Sequence, residues 1–312
     1  MKYFNLSSLA VLGCLAVLCT GCEVSDCSPE DESKGVCVQG ESLTEFKGTE
    51  TTDTVDWTPG MPLSVDGMNG EISIKQGTAG KVSVLFKPFT FRGASKRAEA
   101  DEDLTVHFQK AVTTTDGVVG VRTSRSGGGS SIGAHMDISI PPEFDSSITL
   151  KNGNGNIEVF FVGNATTLDA RHDSSAAGDC EVRGGPMLFK TTVVCAFEAR
   201  VSGVQDDVDV STRGAGGDIT VSIASVAAEA AGGTITSESG DVSVTMPAAG
   251  GYSVQAQANK DGVVNEGTLP SVCTVNAAAT NSKTVSCGTG PNYTVKAGTT
   301  SLLAKNVTLG YE

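Results

Sequence analysis

From about Val55 onward, short stretches of the chain alternate between apolar and polar residues. Clear examples are Glu71–Ile74, Lys81–Val84, Asp137–Ile140 and Ser147–Leu150. Successive side chains of a strand point to opposite faces, so a period of two predicts strands with one buried face. The one convincing helical stretch is Ala94–Leu104, where we expect a short surface turn or helix. The pattern predicts an all-β protein.

A five-residue motif recurs along the chain: glycine, an acid or amide, and then alternating apolar and polar residues. Its copies are Gly70–Ile74, Gly155–Val159, Gly178–Val182, Gly217–Val221 and Gly240–Val244. The second and third copies are 23 residues apart, as are the last two, with 39 residues between these pairs. A period near 23 residues predicts the coils of a β-solenoid, in which each coil buries its apolar face only against its neighbours.

The first residues of the motif are expected to form the corners of the coils. Glycine adopts positive φ where a Cβ would clash, and Asp or Asn bonds the neighbouring backbone amide. The corner residues are Gly70, Gly155, Gly178, Asp179, Gly217, Asp218, Gly240 and Asp241. An ordinary β-sandwich with Gly-Asp hairpins is the alternative, but the repeated spacing favours the solenoid.

Residues 1–22 have the layout of a lipoprotein signal peptide. Lys2 supplies a positive start, and Leu9–Leu18 is an apolar stretch of ten residues, whereas a membrane-spanning helix needs about 20. Cys19–Cys22 resembles the bacterial lipobox, in which small residues precede a cysteine that becomes the lipidated N-terminus. We therefore predict lipid attachment at Cys22, with lipidation at Cys14 and ordinary secretion as alternatives.

The signal implies a lipid-anchored protein of the bacterial cell envelope. Glu23 follows Cys22, and by analogy with enteric bacteria this permits transfer to the outer membrane. Residues 23–58 are acidic and poor in apolar side chains, which predicts a disordered tether with one small disulfide loop. The solenoid is then expected over residues 59–267, and residues 268–312 as a C-terminal β extension or cap.

The chain has nine cysteines. Cys14 and Cys19 leave with the signal and Cys22 carries the lipid, so six remain, an even number typical of disulfides in an exported protein. Their close spacing predicts three bonds: Cys27–Cys37, Cys180–Cys195 and Cys273–Cys287. Closing a loop of about 15 residues is worth roughly 3 kcal/mol. A thiolate metal site is the rejected alternative, because there is no Cys-x-x-Cys and the histidines are scattered.

The formal net charge of −14 opposes nucleic-acid binding, because a surface of that sign repels phosphate backbones. Cations, basic proteins and neutral glycans remain as partners, besides the membrane reached through the lipid. The acidic surface also has a simpler explanation, since it keeps an exposed protein soluble.

Residues Val65–Gly267 resemble the bacterial putative-adhesin domains catalogued as a domain of unknown function (DUF4097). The resemblance rests on the opening Asn69–Ile74, the lead-in Ile138–Pro141, the repeated motif and the closing Val244–Pro247. It implies a single-stranded right-handed β-helix, and an adhesion role. The six cysteines and the segment Thr268–Glu312 depart from the family pattern.

No constellation of residues predicts an active site or a cofactor. Gly129–Gly133 matches G-x-S-x-G, but it lacks the following helix of a nucleophile elbow and is interpreted as a loop tip. His172 and Asp173 are adjacent, which predicts an unrelated pair in a loop. Asp206, Asp207 and Asp209 could ligate calcium, although the G-G-x-G-x-D calcium repeat is missing.

Three functions follow as hypotheses. The first is a non-catalytic envelope protein whose solenoid serves adhesion or binding of a glycan or protein. The second, a polysaccharide-active enzyme, is suggested only by analogy with other β-helix proteins. The third, a role in envelope-stress signalling, is suggested only by the family resemblance.

Overall fold

Two large sheets contain most of the residues that the structure describes. The computed structural model describes residues 37–38, 41–129, 131–160, 162–173, 177–185, 188–214 and 216–312. The strands are β1 (Cys37–Val38), β2 (Glu41–Lys47), β3 (Thr51–Asp56), β4 (Leu63–Gly67), β5 (Ile72–Gln76), β6 (Lys81–Gly93), β7 (Phe108–Thr115), β8 (Val118–Arg125), β9 (Gly133–Ile140), β10 (Ser147–Asn152), β11 (Ile157–Phe160), β12 (Thr167–His172), β13 (Cys180–Arg183), β14 (Lys190–Cys195), β15 (Ala199–Gln205), β16 (Asp207–Thr212), β17 (Ile219–Ser225), β18 (Gly232–Ser237), β19 (Val242–Met246), β20 (Tyr252–Gln257), β21 (Val264–Glu266), β22 (Cys273–Ala279), β23 (Ser282–Cys287), β24 (Asn292–Lys296) and β25 (Val307–Tyr311).

The middle of each sheet is a long run of parallel strands. The first sheet contains β5-β11-β13-β15-β17-β19-β25 in this order, and the second contains β4-β10-β12-β14-β16-β18-β24. From β10 to β19, consecutive strands alternate between the sheets, so one strand of each sheet makes a repeat unit. The motif strands pair in parallel, with Ile157 opposite Cys180 and Ile219 opposite Val242. Parallel pairing excludes the Gly-Asp hairpins of the sandwich alternative, because hairpin strands are antiparallel.

Strand β15 belongs to a repeat unit that the sequence motif misses. It pairs with β13 and β17, with Ala199 opposite both Cys180 and Ile219. Units of 19 and 20 residues therefore fill the 39-residue gap between two motif copies. The strand is preceded by Glu198 rather than by the Gly-Asp pair of its neighbours, so the motif search could not find it.

Small branched side chains fill the space between the two sheets. In β11, Ile157 and Val159 are buried, while Glu158 between them is on the outer face. The same alternation in each unit builds one continuous core dominated by Val and Ile. Each such side chain contributes about 1.5–3 kcal/mol when fully buried, so stacking of neighbouring units supplies much of the stability.

The segment predicted as a disordered tether is ordered strand over part of its length. Strands β2 and β3 both pair antiparallel with β6, and Phe46 and Trp57 are buried. The Trp57 ring lies 5.4 Å from that of Phe144. In β2 the exposed Glu45 precedes the buried Phe46, so the acidic composition of this segment concealed a strand pattern. The prediction was therefore wrong for residues 41–58; the rest of the segment, apart from the short strand β1, lies outside the described residues.

The C-terminal residues are not a separate extension after residue 267. Strand β25 lies between β19 and β21, and β24 lies between β18 and β20. Residues on both sides of the predicted boundary therefore complete the same two sheets. The antiparallel strands β20, β23 and β22 form the end of the second sheet.

The helical stretch expected at 94–104 contains α1 (Arg97–Glu102), followed by a π-helical turn over Asp103–His107. This segment connects β6 to β7 and contributes one buried acid, Asp103. In the described part of the chain, no helix has the length and apolar character needed to cross a bilayer.

Candidate functional site

A row of Asp and Asn side chains connects the turns of successive repeat units. Asn156 Oδ1 accepts a hydrogen bond from the Asp179 amide at 3.0 Å, and Asp179 Oδ1 accepts one from Glu198 at 3.0 Å. Asp218 and Asp241 repeat the arrangement, with an Asp241 N to Asp218 Oδ1 distance of 2.8 Å. The bonded amide is in the next unit, about 20 residues away, rather than in the same turn. These side chains therefore join units as well as forming turns.

The predicted corner glycines lie at these turns, but for two different reasons. Gly178 has a φ of +144°, and a Cβ there would lie 2.5 Å from Gly155 O. At Gly240 φ lies outside the left-handed region, yet a Cβ would lie 2.3 Å from Gly217 O. The expectation of positive φ is therefore wrong for Gly217 and Gly240. Close stacking of one turn on the next excludes a side chain at both Gly178 and Gly240.

Buried polar side chains follow the inner side of the same turns. They are the last residues of β10, β12, β16 and β18, namely Asn152, His172, Thr212 and Ser237, and the disulfide-bonded Cys195 ends β14 in the equivalent position. Thr212 Oγ1 and Ser237 Oγ each donate to Gly217 O at 2.7 Å. Asn152 Nδ2 donates to Gly70 O and Gly155 O, both at 2.9 Å. Such bonds satisfy turn carbonyls that would otherwise be buried without a partner.

A groove with a volume of about 500 Å³ opens where the turns before β5 and β11 meet β6 and β9. Aromatic rings form its apolar part: Phe89 contacts Phe91 edge-on at 5.6 Å between centroids and His135 at 4.9 Å. Its polar lining comes from two turns and one facing strand, with the side chains of Glu45, Asn69, Glu71, Asn154 and Asn156. The groove therefore combines an aromatic surface with amide and carboxylate groups.

A buried ion pair holds the loop on one side of this groove. Arg92 donates from Nε and Nη2 to the two oxygens of Asp103, at 2.7 and 2.8 Å. Asp103 also accepts from Thr90 and from the backbone of Gly129, the loop residue two positions before Ser131. Ser131 Oγ in turn donates to Phe91 O at 2.7 Å. The network connects β6, the π-helical turn and the loop, and so fixes the groove wall.

The groove carries negative rather than positive groups. Glu45 and Glu71 line it, and no lysine or arginine does so among the described residues. On the outer face of the first sheet nearby, burial raises the pKa of Glu158, and the carboxylates of Glu71 and Glu181 add to the effect. This surface is therefore unsuited to phosphate or polyanionic ligands.

A second cluster lies inside the turns, one unit further along. His172, Cys180 and Cys195 are all buried, and their ligand atoms lie within 4.8 Å of one another. Cys180 and Cys195 form a disulfide whose sulfur atoms are 3.9 and 3.7 Å from His172 Nδ1. Nδ1 accepts from Ala196 N at 3.0 Å, so Nε2 carries the proton that bonds Gly155 O at 2.8 Å. Burial lowers the pKa of His172, which favours this neutral form.

Two of the three predicted disulfides, Cys180–Cys195 and Cys273–Cys287, are formed in the described part of the chain. The first joins β13 of one sheet to β14 of the other, and the second joins the antiparallel strands β22 and β23. The side chains of Cys27 and Cys37, and the predicted lipid site Cys22, lie outside the described residues.

The other candidate chemistries have structural explanations. Ser131 is followed by strand β9 rather than by a helix, so Gly129–Gly133 is not a nucleophile elbow. His172 ends a strand and is buried, so its interpretation as part of a loop pair was wrong. Asp206, Asp207 and Asp209 each accept backbone hydrogen bonds from the next unit, as Asp209 Oδ1 does from Thr234 at 2.9 Å.

No family model matches the chain, and no curated protein matches it in sequence. Three solved structures are similar over most of their length. A putative cell adhesion protein from Clostridium sporogenes is 11% identical with a TM-score of 0.34, covering 85% of this chain and 100% of that one. A putative adhesin from Bacteroides fragilis is 12% identical (TM-score 0.38; 85% and 97%), and one from Parabacteroides merdae is 11% identical (0.28; 84% and 96%). At these identities and scores, no function is transferred.

Proposed function

We propose that this chain is a non-catalytic, lipid-anchored protein of the cell envelope that binds neutral glycans for adhesion. The observation that carries the proposal is the groove of about 500 Å³ with Phe89, Phe91 and His135 on one side and amide side chains on the other. Its volume is that of an ordinary ligand pocket. The export signal predicted from the sequence implies that such a groove lies outside the cytoplasm, where glycans of other cells and surfaces occur.

The fold that displays the groove is proposed to be a single-stranded right-handed β-helix. Its support is the alternation of consecutive strands between two parallel sheets, with the turns of successive units stacked on each other. Connections between parallel strands are almost always right-handed. Antiparallel strands extend the second sheet at both ends and the first sheet beyond β5, which covers edges that otherwise promote aggregation, while the first sheet ends on the short parallel strand β21.

The lining of the groove offers partners for both the apolar C–H groups and the polar hydroxyl groups of a sugar. The ring C–H groups of a pyranose pack on aromatic faces such as Phe91, while its hydroxyl groups exchange hydrogen bonds with amide and carboxylate side chains. Asn154 and Asn156 use their Oδ1 atoms for backbone amides, at 2.7 and 3.0 Å. Those bonds fix the two side chains in place at the groove. The absence of lysine and arginine from the described lining favours neutral over anionic glycans.

Replacing Phe91 by alanine is expected to weaken glycan binding about tenfold, which corresponds to about 1.4 kcal/mol. The side chain is half-buried at the groove and contributes stacking surface. Phe160→Ala is the matched control, because its ring lies on the outer face of β11 beside Arg183, outside the groove lining. Calorimetric titration of both variants measures the difference. Equal losses in the two variants would contradict a binding role for Phe91.

The direct test is to incubate the purified protein with a panel of neutral and acidic polysaccharides, with and without calcium. We expect retention of neutral glycans, no released fragments and no effect of calcium. Retention of acidic glycans alone would contradict the preference for neutral glycans that we infer from the charges of the groove lining. If no glycan is retained at all, the groove is not a glycan site and a protein partner becomes the leading idea.

A polysaccharide-cleaving enzyme is the second candidate, and one observation favours it. The pKa of Glu158 is raised by burial and by neighbouring acids, as is common for a general acid. Release of shorter fragments in the same incubation, abolished by Glu158→Gln, would replace the adhesion proposal with an enzymatic one. We expect no fragments, because Glu158 itself does not line the groove.

Lipid attachment is proposed at Cys22 from the sequence alone. Cys22→Ser is expected to abolish incorporation of a labelled fatty acid and to release the protein from the membrane fraction, since the thiol is the attachment site. Cys14→Ser is the matched control and should leave both unchanged. Labelling that survives in Cys22→Ser and disappears in Cys14→Ser would place the lipid at the other cysteine.

A further inference from the structure

The buried cluster of His172, Cys180 and Cys195 contains the donor set of a metal centre. Each side chain is at least nine-tenths buried, with exposed fractions of 4%, 0% and 0%. They come from the ends of β12 and β14 and the start of β13, and the turns between the sheets bring them together. Two cysteines and one histidine are a common ligand set for zinc.

We propose that, once its disulfide is reduced, this cluster binds one thiophilic divalent cation such as Zn²⁺. An external dithiol supplies two electrons and two protons, which convert the Cys180–Cys195 bond into two thiols while the dithiol becomes a disulfide. The cation then displaces both thiol protons and is held by two thiolates and His172 Nδ1. The oxidised protein, with no thiolate available, does not bind it.

The distances from the imidazole already fit a metal centre. A zinc ion about 2.3 Å from sulfur and about 2.0–2.1 Å from nitrogen sets these two atoms about 3.6 Å apart in a tetrahedral site. His172 Nδ1 lies 3.9 and 3.7 Å from the sulfur atoms of Cys180 and Cys195. Reduction lets the two sulfur atoms separate, so the cation can enter without moving the histidine far.

The surroundings of His172 orient it as a ligand. Its Nε2–H donates to Gly155 O at 2.8 Å, which leaves Nδ1 unprotonated and within 3.9 Å of both cysteine sulfur atoms. A hydrogen bond from the second ring nitrogen to a backbone carbonyl is the usual support of a metal-binding histidine. Binding replaces the bond from the Ala196 amide to Nδ1, and a thiolate can accept from that amide instead.

Charge selects a divalent over a monovalent cation. Two thiolates and a neutral imidazole carry a charge of −2, so a divalent ion gives a neutral centre and a monovalent ion leaves a buried negative charge. An uncompensated buried charge is costly. The nearby carboxylates of Asp173 and Asp179 also favour positive charge at His172. A cavity of about 80 Å³ beside His172 and Cys195 has room for a water molecule as the fourth ligand.

Cobalt titration tests the proposal, because Co²⁺ enters zinc sites and its thiolate complexes absorb light. The full chain is reduced with a phosphine without oxygen, and Co²⁺ is added to the reduced and oxidised forms. We expect one Co²⁺ more per chain in the reduced form, with thiolate charge-transfer absorption that Zn²⁺ displaces. X-ray absorption should show two sulfur atoms and one imidazole nitrogen around the metal.

Matched variants distinguish this cluster from the other cysteines. Cys195→Ser should remove the absorption, and Cys287→Ser should keep it. His172→Gln should weaken binding by more than about 100-fold, since losing a direct ligand costs more than losing an outer-shell partner. No Co²⁺ uptake by the reduced wild type would overturn the proposal, as would uptake lost in Cys287→Ser but kept in Cys195→Ser. A reduced chain whose circular dichroism is lost and is not restored by Co²⁺ would overturn it too.

Discussion

Gly240→Ala is expected to destabilise the protein by about 4 kcal/mol, or to prevent folding. The new Cβ would lie 2.3 Å from Gly217 O and 2.5 Å from Asp218 N, both backbone atoms of the preceding unit. Because backbone cannot rotate away as a side chain does, the two turns must separate. Their separation also weakens the bonds between them, including that from Asp241 N to Asp218 Oδ1.

Gly216→Ala is the matched control for this prediction. A Cβ there meets no atom within 4 Å, although φ is +77°, so only the backbone strain of about 1–2 kcal/mol is expected. Urea unfolding of both variants and the wild type measures the difference. If the two substitutions cost the same, stacking of the turns is not what excludes a side chain at position 240.

Arg92→Ala is expected to destabilise the protein by about 3 kcal/mol, because it leaves the Asp103 carboxylate buried without its cation. The Asp103 side chain is only 2% exposed. It would keep the bonds from Thr90 and Gly129, which limits the loss. Since Gly129 lies in the same loop as the groove residue Ser131, glycan binding should weaken as well.

Lys81→Ala is the control on the same strand, because Lys81 and Asp56 form an exposed pair, and such pairs contribute less than about 1 kcal/mol. Thermal and urea unfolding of the two variants measure the contrast. An Arg92→Ala variant as stable as Lys81→Ala would show that the Asp103 carboxylate does not depend on its cation.

The cost of Arg92→Ala should depend on pH. Burial alone would raise the pKa of Asp103, but the hydrogen bonds from Arg92, Gly129 and Thr90 hold the pKa below its ordinary value. The wild type therefore has this stabilisation above the unfolded pKa of about 3.9 and loses it as pH falls through the folded pKa. Without Arg92 we expect the folded pKa to rise above the ordinary value. The stability difference between wild type and variant should then shrink as pH falls from 7 toward 4.

The repeat could be predicted because it follows from local chemistry. Glycine, an Asp or Asn and alternating residues are visible at Gly178 and Gly240, where stacking permits no side chain. The motif does not identify the unit that contains Ala199. That unit stacks through its strand β15 without the glycine found at the turns of its neighbours. The many acids before Val55 also concealed strands β2 and β3. Pairing of these strands with β6 depends on the alternation of inward-facing and outward-facing residues rather than on net charge.

The groove could not be predicted, because its parts are far apart in sequence. Phe89 and His135 meet only through the antiparallel pairing of β6 with β9, and Asn69 and Asn154 meet through stacking of β5 and β11. In the sequence, Asp103 looks like a surface acid of a helical segment. In the structure it is buried and accepts hydrogen bonds from Arg92 and Thr90. For the cluster of His172, Cys180 and Cys195, the cysteine pair was predicted, but not the presence of His172 beside it.

A neutral glycan is proposed to bind in the groove next to the turns before β5 and β11. Backbone amide NMR of the protein titrated with a neutral oligosaccharide retained in the panel tests this claim most directly. We expect shift changes concentrated at residues 69–71, 89–91, 131–135 and 154–156. Changes concentrated elsewhere on the described surface would contradict it, and so would saturable binding that leaves these four segments unchanged.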